Sequence, residues 1–366
     1  MTVGDVCAWI EEWAPPGLAY EWDNPGLALG APENEVCGAL VVLTATRLAF
    51  ERALACGANL IVAHHPPIFH PIHSLREDLP GVRLLLDMAR AGMSCYAAHT
   101  NLDVAPGGVS QALARQVGLR DIAPLLPARH AGMVKLVTFV PESHVAIVRE
   151  AVCEAGAGVI GAYTHCTFSA PGTGTFTPGD DANPFSGVKG AINEEPERRF
   201  ETIAPQAILD RVIGALKRAH PYEEVAFDIV PLENRDTKTG LGARGTLAEA
   251  MPLNAFAAHL CRALDVSHVR VMGSPETLVQ QVGVIGGSGA DAMREVAGKV
   301  DALVTGDVKY HDALLAQELG LAVVDAGHEG SERCILEALA DYLKRRAPSL
   351  PVDIYREPDT FRIVGA

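Results

Sequence analysis

The chain has 366 residues, a hydrophobic fraction of 48% and a formal net charge of −15. That length holds two ordinary domains or one large domain with an insertion, and that apolar fraction excludes a disordered chain. The acidic balance repels phosphate backbones and argues against nucleic acid as a partner.

Along the chain, Thr2 caps a predicted first helix with Val3, Val6, Trp9, Ile10 and Trp13 on one face, and Pro15-Pro16-Gly17 ends it. An irregular stretch, Glu21 to Leu27, follows. Val36 to Leu43 reads as a strand and Thr46 to Cys56 as a helix stopped by Gly57. Leu60 to Ala63 is a second strand, Leu79 to Ala91 a helix, Ser94 to Ala98 a third strand and Val109 to Val117 a helix. Strands alternating with helices indicate βαβ units and a mainly parallel sheet.

The pattern changes in the middle of the chain. Val134 to Val140 is strand-like, Glu142 to Ala155 helical, and Val159 to Phe168 strand-like. Ser169 to Gly190, rich in Gly, Pro and Ser, reads as a long hairpin loop. Phe200 to Ile203 is a strand, Gln206 to Ala219 a helix and Val225 to Val230 a strand. This β-α-β-β-α-β order is ferredoxin-like. Its first and last strands pair side by side, so its two ends should be close and suit insertion into another domain. The expected domains are therefore 1–130, an inserted 131–232, and 233–366. The α/β pattern then resumes, with helix Leu253 to Leu264, strand Val282 to Ile285, a turn at Gly286 to Gly289 and helix Ala290 to Ala297. Strand Ala302 to Val304, helix Asp312 to Glu318, strand Leu321 to Val324 and a long last helix complete it.

Three short segments place metal-ligand residues directly after apolar runs. His64-His65-Pro66 follows Leu60 to Ala63, His99 to Asp103 follows Cys95 to Ala98, and Gly327-His328 with Glu332 follows Leu321 to Asp325. Sites in open α/β sheets form beyond the carboxyl ends of strands. His64 and His65 diverge on an extended backbone, which suits two metals better than one. His328 and Glu332 are spaced i, i+4 and share a helix face. Asp103 adds a carboxylate. Two divalent ions among such nitrogen and oxygen donors would activate water at neutral pH and leave the site about +2, attractive to an anionic substrate. The donors suit zinc, iron, manganese, cobalt or nickel alike. Cys-type structural zinc is not indicated, because the eight cysteines form no Cys-x-x-Cys pair; they read as reduced thiols.

Lys309 and His311 lie beyond a fourth strand end and read either as anion-binding or proton-handling catalytic groups, or as a polar helix cap. Trp22-Asp23-Asn24 reads as a pocket border or a buried turn. Gly286 to Gly289 offers backbone N–H groups to an anion but does not match a dinucleotide motif. No apolar stretch approaches the roughly 18 residues of a membrane helix. The N-terminus lacks the pattern of a signal peptide, and a cytoplasmic location is expected.

These segments resemble the Nif-three-like family, known as GTP cyclohydrolase I type 2 homologues. The resemblance rests on Trp22-Asp23-Asn24-Pro25-Gly26-Leu27, Ala63 to Phe69, Ala98 to Asp103, Thr305 to Asp312, and Asp325 to His328 with Ser331-Glu332. It implies an α/β fold with a Nif-three-like core of mainly parallel sheets flanked by helices. It implies two divalent metal ions per chain, with His65 and Asp103 on one, His64 and His328 on the other, and Glu332 bridging and catalytic. It further implies a toroidal homohexamer. The middle segment, ending His220-Pro221-Tyr222-Glu223-Glu224, resembles a PII/CutA-like inserted domain. The family often carries an aromatic residue or His where Glu329 stands. The expected function is a metal-dependent hydrolase acting on a purine nucleotide or related small anionic substrate. The alternative is a non-enzymatic metal-binding assembly with a regulatory or metal-handling role. A transcription-associated scaffold fits the acidic balance least.

Overall fold

The computed structural model describes residues 1–127, 132–234, 238–358, 360, 361 and 364. The chain divides into two compact units, Met1–Ala128 with Thr237–Ala366, and Arg129–Asp236.

The larger unit is built on two sheets. The first has the strand order Gly26–Leu29, Ser94–Ala97, Leu60–His65, Ala39–Thr44, Val352–Ile354. All neighbours are parallel except the Gly26–Leu29 edge. Its central strands carry continuous apolar runs, residues 39–43, 60–63 and 95–97, because helices cover both faces. Val41, Leu43, Leu60 and Val62 pack with Val3, Val6 and Ile10 of the first helix, Val3–Trp13, and with Ile335 and Leu339 of Cys334–Arg346. Leu40, Val42, Ile61 and Ala63 pack on the other side with Phe50, Ala53 and Met88. The first helix starts with a reciprocal cap: Asp5 N–H donates to Thr2 Oγ1, and Thr2 N–H donates to Asp5 Oδ2.

The second sheet is mixed rather than mainly parallel. Its order is Arg270–Met272, Ala322–Asp325, Ala302–Gly306, Leu278–Ser288, Gly240–Pro252, Arg120–Pro127. Only the two pairings among Leu278–Ser288, Ala302–Gly306 and Ala322–Asp325 are parallel. The other three are antiparallel. The long Gly240–Pro252 strand lies outside the sequence reading because its Gly-Leu-Gly-Ala-Arg-Gly run lacks both β-branched residues and alternation.

The smaller unit has strand order Thr167–Phe176, Asn193–Pro205, Met133–Pro141, Phe227–Pro231, all antiparallel. Helices Val145–Glu154 and Leu209–Ala219 pack on one face over Val134, Leu136, Phe200 and Ala204. This is the ferredoxin-like connectivity. Two segments differ from the sequence reading. Val159 to Phe168 is mostly irregular, and strand Thr167–Phe176 occupies the start of the expected loop. The apolar Val159-Ile160 pair is exposed and belongs to a tight turn, with Ile160 bridged to Tyr163. The Thr-Gly-Thr run hides the strand from propensity.

Val134 pairs with Pro231 across the first and last strands, and Leu232 N–H donates to Met133 O at 2.9 Å. The two ends of this unit therefore adjoin. Replacing residues 132–234 with a short Gly/Ser bridge should leave a soluble chain with one cooperative thermal transition by circular dichroism. Insolubility across several linker lengths would contradict this.

Candidate metal centre at the strand ends

The carboxyl ends of the parallel strands in both sheets of the larger unit converge on one cluster. Strand parity sets which way each histidine points. His64 continues the Leu60–Val62 face, toward Ala98 and the short Thr100–Val104 helix. His65 continues the Ile61–Ala63 face, toward Thr44 at the end of the neighbouring strand. Gly327, at φ +77°, turns the chain after Ala322–Asp325 so that helix His328–Glu332 enters the site. Asp325 holds that turn: Oδ1 accepts from Gly327 N–H at 2.9 Å, and Oδ2 accepts from Val308 N–H at 3.1 Å and from Arg270.

Glu332 is buried at the centre. Its Oε1 lies 3.7 Å from His64 Nε2. Its Oε2 lies 3.0 Å from His65 Nε2 and 3.2 Å from His328 Nε2. His65 and His328 bring their Nε2 atoms within 3.3 Å. On the other side, His64 Nε2 is 3.7 Å from Asp103 Oδ1. The resemblance implies the opposite grouping, His65 with Asp103 and His64 with His328. The structure groups His64 with Asp103 and His65 with His328, because adjacent strand residues face opposite sides and only His65 shares a side with His328.

Four imidazoles are fixed through Nδ1. His64 Nδ1–H donates to Ala98 O at 2.8 Å, and His65 Nδ1 lies 2.8 Å from Thr44 Oγ1. His99 Nδ1–H donates to Asp23 Oδ1 at 2.7 Å, and His328 Nδ1–H donates to Asp307 Oδ2 at 2.7 Å. Such partners select the tautomer that presents Nε2. Donor atoms of His64, His65 and His99 lie within 4.8 Å of one another, as do those of His65, His328 and Glu332, so both groups could hold a metal ion. His64 Nε2 and Asp103 Oδ1 are buried without a hydrogen-bond partner. Two buried acceptors are costly to leave unpaired, and a shared cation satisfies both. The residues thus fit a metal.

The titration of the metal-free cluster follows its charges. Burial pushes the His64 pKa down, but the carboxylates of Glu332 and Asp103 overcome it and raise it to about 9. The hydrogen bond to Glu332 raises His328 to about 9, against burial. Burial alone would raise Glu332; the charge of His64 and the hydrogen bonds from His328 and His65 hold it well below the usual carboxylate range. Burial lifts Asp103 to about 7, despite His64. Burial, then the charge of His64, lowers His99.

Among the expected site residues, His64, His65, Asp103, His328 and Glu332 come together. Lys309 and His311 do not: both are exposed, and neither lines the cavity beside the cluster. Lys309 is the cap position of helix Tyr310–Leu319, where its N–H donates to Asp312 Oδ2 at 2.9 Å. The Gly286, Gly287 and Gly289 amides are also committed internally, to the Ser110, Ser331 and Thr305 hydroxyls respectively, so those three are not free for an anion. Asp23, Asp307, Thr44 and His99 are the functional positions without an assigned role in the sequence reading. His99 follows an apolar strand as His64 does; Thr44 and the two aspartates show their role only through tertiary proximity. Asp307 sits at φ +55°, a conformation that costs a non-glycine residue energy and is tolerated by Asp through local hydrogen bonds.

A cavity of about 790 Å³ opens beside His65 and His328. It is lined by two guanidinium groups, Arg270 and Arg333, and by His328, against four carboxylates, Asp307, Asp325, Glu329 and Glu357, a balance of −1 with His328 protonated and −2 with it neutral. Arg270 is paired with Asp325, and Arg333 with Glu329 at 3.1 Å.

A profile of the Duf34/NIF3 (NGG1p interacting factor 3) family matches residues 1–359. The chain belongs to this family. A Halalkalibacterium halodurans protein named GTP cyclohydrolase 1 type 2 homolog is 40% identical over 362 residues, covering 96% of each chain. A Bacillus subtilis protein of the same name is 40% identical over 320 residues, covering 87% of this chain and 86% of its own. The crystal structure of a Bacillus cereus protein related to NIF3 superposes with a TM-score of 0.84 at 39% identity, covering 100% of this chain and 99% of its own. A Staphylococcus aureus structure gives 0.76 at 27% identity, with the same coverage. No helix among the described residues is long and apolar enough to cross a membrane.

Two outcomes are expected of the metal-free protein. Groups whose pKa is raised by folding contribute stability below their unfolded pKa and lose it as pH rises through the folded one. His64 and His328, moved from 6.5 to about 9, should therefore make the chelated protein's melting temperature fall from pH 6.5 to above 9. Asp103, raised from 3.8 to about 7, acts in the same direction at lower pH. A flat or rising profile by calorimetry contradicts this. Separately, Gly287 has φ +62°, and a Cβ there would collide with Glu332 Oε1. Gly287→Ala should cost about 1–3 kcal/mol in strain, read by denaturant unfolding.

Proposed function

We propose that the chain is a metal-dependent hydrolase with a dinuclear centre, acting on a purine nucleotide or related small anionic substrate. The observation that carries this reading is the division of Glu332: one oxygen faces His64, whose Nε2 in turn lies 3.7 Å from Asp103, and the other faces His65 and His328. A carboxylate so placed suits two ions, one held by His64 and Asp103 and the other by His65 and His328. Divalent ions in such a donor set supply Lewis acidity and lower the pKa of water to near neutrality. Asp23 and Asp307 fix the outer rings, His99 and His328, and burial of Glu332 keeps its carboxylate aimed inward. The cavity beside His65 and His328 gives a substrate access to one face. The names of the relatives favour GTP cyclohydrolase chemistry, which opens a purine ring by hydrolysis.

The cavity's own charges refine this. With a net negative charge along its walls, −1 even when His328 is protonated, it does not attract an anion unaided. Substrate binding in this reading requires the metals, so GTP should bind the metal-loaded protein and not the chelated one in calorimetric titrations. Equal binding in both states removes the proposed role of the metals. We further read the protein as a cytoplasmic homohexamer whose inserted unit is PII/CutA-like, for which a native mass measurement is the first check.

Elemental analysis tests the centre directly. Wild type should carry about two ions per chain, His65→Ala and His328→Ala about one, and Glu332→Gln neither at full occupancy. Asp307→Asn, which tolerates the left-handed backbone, should weaken one ion by about 10–100-fold. Full occupancy in Glu332→Gln overturns the bridging role. A metal-loaded protein that turns over no nucleotide in a product screen returns the reading to a non-enzymatic metal-binding assembly.

A further inference from the structure

The inserted unit has helices on one face of its sheet only. The opposite face carries Phe139, Glu197 and Arg199, which share a side by strand register: Phe139 pairs with Arg199, and Gly172 pairs with Glu197. The segment between strands Thr167–Phe176 and Asn193–Pro205 folds back over this face. It is pinned by Asn183 N–H donating to Glu223 Oε1 at 2.7 Å and by Ser186 Oγ donating to Glu195 Oε2 at 2.7 Å. Under it lies a cavity of about 710 Å³. That volume lies within the range of small-molecule sites. The metal cluster belongs to the other unit, and no part of the hydrolytic reading uses this cavity.

Its lining is aromatic and acidic. Phe139, Phe176, Phe185 and Tyr222 contribute rings, with Phe185 and Tyr222 centroids 6.0 Å apart at 47°. Phe185 is 52% exposed, a large apolar surface left open beside a second ring. Glu197, Glu223 and Glu224 supply three carboxylates. Tyr222 O–H donates to Glu197 Oε1 at 2.8 Å and fixes that carboxylate, while no protein donor reaches its Oε2 among the described residues. The one lining cation, Arg199, is neutralised by Glu201 at 2.7 Å, which Lys135 also holds at 2.9 Å. Three carboxylates against that one guanidinium make a formal lining charge of −2, which repels anions. An inorganic divalent ion is not the match either, because the acidic groups here do not converge as the histidine cluster does.

We propose that this cavity is a second binding site, for an organic ammonium cation with an apolar body. Aromatic faces attract cations through their quadrupoles, most strongly when the cation is partly desolvated, and a bulky ammonium is desolvated at less cost than a metal ion. The carboxylates supply charge at the rim, and the rings supply contact area for the body. Gly172 gives the floor its depth, since a Cβ there would meet nothing within 4 Å.

The test uses the full chain and benzyltrimethylammonium as probe, titrated calorimetrically at constant ionic strength. Its neutral carbon isostere, neopentylbenzene, is the control. Wild type should bind the cation saturably with one site per chain and the isostere at least 10-fold more weakly. Phe185→Ala removes an exposed ring and Glu197→Gln one charge; each should weaken binding by about 10-fold. Gly172→Phe should fill the cavity and abolish binding without lowering the melting temperature. Absence of saturable binding to wild type overturns the proposal. So does equal affinity for cation and isostere, which would mark a merely apolar pocket. Wild-type affinity in folded Phe185→Ala and Gly172→Phe would place the site elsewhere and overturn it equally.

Discussion

A carboxylate buried in protein interior must be neutralised where it stands, and Glu332 is that carboxylate here. Desolvating an ion costs several kcal/mol, and only well-placed opposite charge and hydrogen bonds offset it. Three imidazoles surround Glu332 within 3.7 Å. In the metal-free protein the protons of His64 and His328 provide the compensation, which is why those two are raised and Glu332 is lowered. The same arrangement fits metal ions, since a cation replaces the protons at the same nitrogen atoms. Packing around the cluster serves this constraint. A Cβ at Gly287 has no room beside Glu332, and one at Gly306 would lie 2.7 Å from His328 N.

The two sheets divide the work. The first supplies a pair of histidines on opposite faces of one strand, so one pair of consecutive residues serves both halves of the site. The second supplies His328 and Glu332 on one short helix, together with Asp307 on the preceding strand's exit. The aspartates behind His99 and His328 add negative charge around the cluster, so the centre is less positive than its inner donors alone imply. The cavity walls go further in that direction. Anion recognition in the hydrolytic reading therefore falls to the ions rather than to protein cations.

Much of this was legible in the sequence where local pattern and tertiary role coincide. The apolar strands ending in His64-His65 and Asp325 are readable because buried parallel strands are apolar throughout. The i, i+4 spacing of His328 and Glu332 is a local fact that survives folding. The ferredoxin-like order of the insertion shows in alternating periods. Legibility fails where the determinant is non-local. Asp23 reads equally as a turn residue because its partner, His99, is 76 residues away. Lys309 and His311 stand in a motif beside the site, yet the strand exit carries Asp307 toward His328 and leaves Lys309 and His311 exposed. Strand Gly240–Pro252 forms because it pairs on both sides, with Leu278–Ser288 and Arg120–Pro127, and its glycines conceal that from any propensity argument.

His65 and Glu332 meet across 267 residues of chain, with the whole inserted unit between them. Loop closure over such a separation is paid before any contact rewards it, so the cluster forms late in folding. During synthesis, a ribosome-bound chain that has emerged only through the insertion carries His64, His65, His99 and Asp103 but neither His328 nor Glu332. It has four of the six donors and no central carboxylate. In the reading as a metal centre, capture of a full complement of ions would therefore report on chain completion: the last tenth of the polypeptide decides whether everything before it becomes a site.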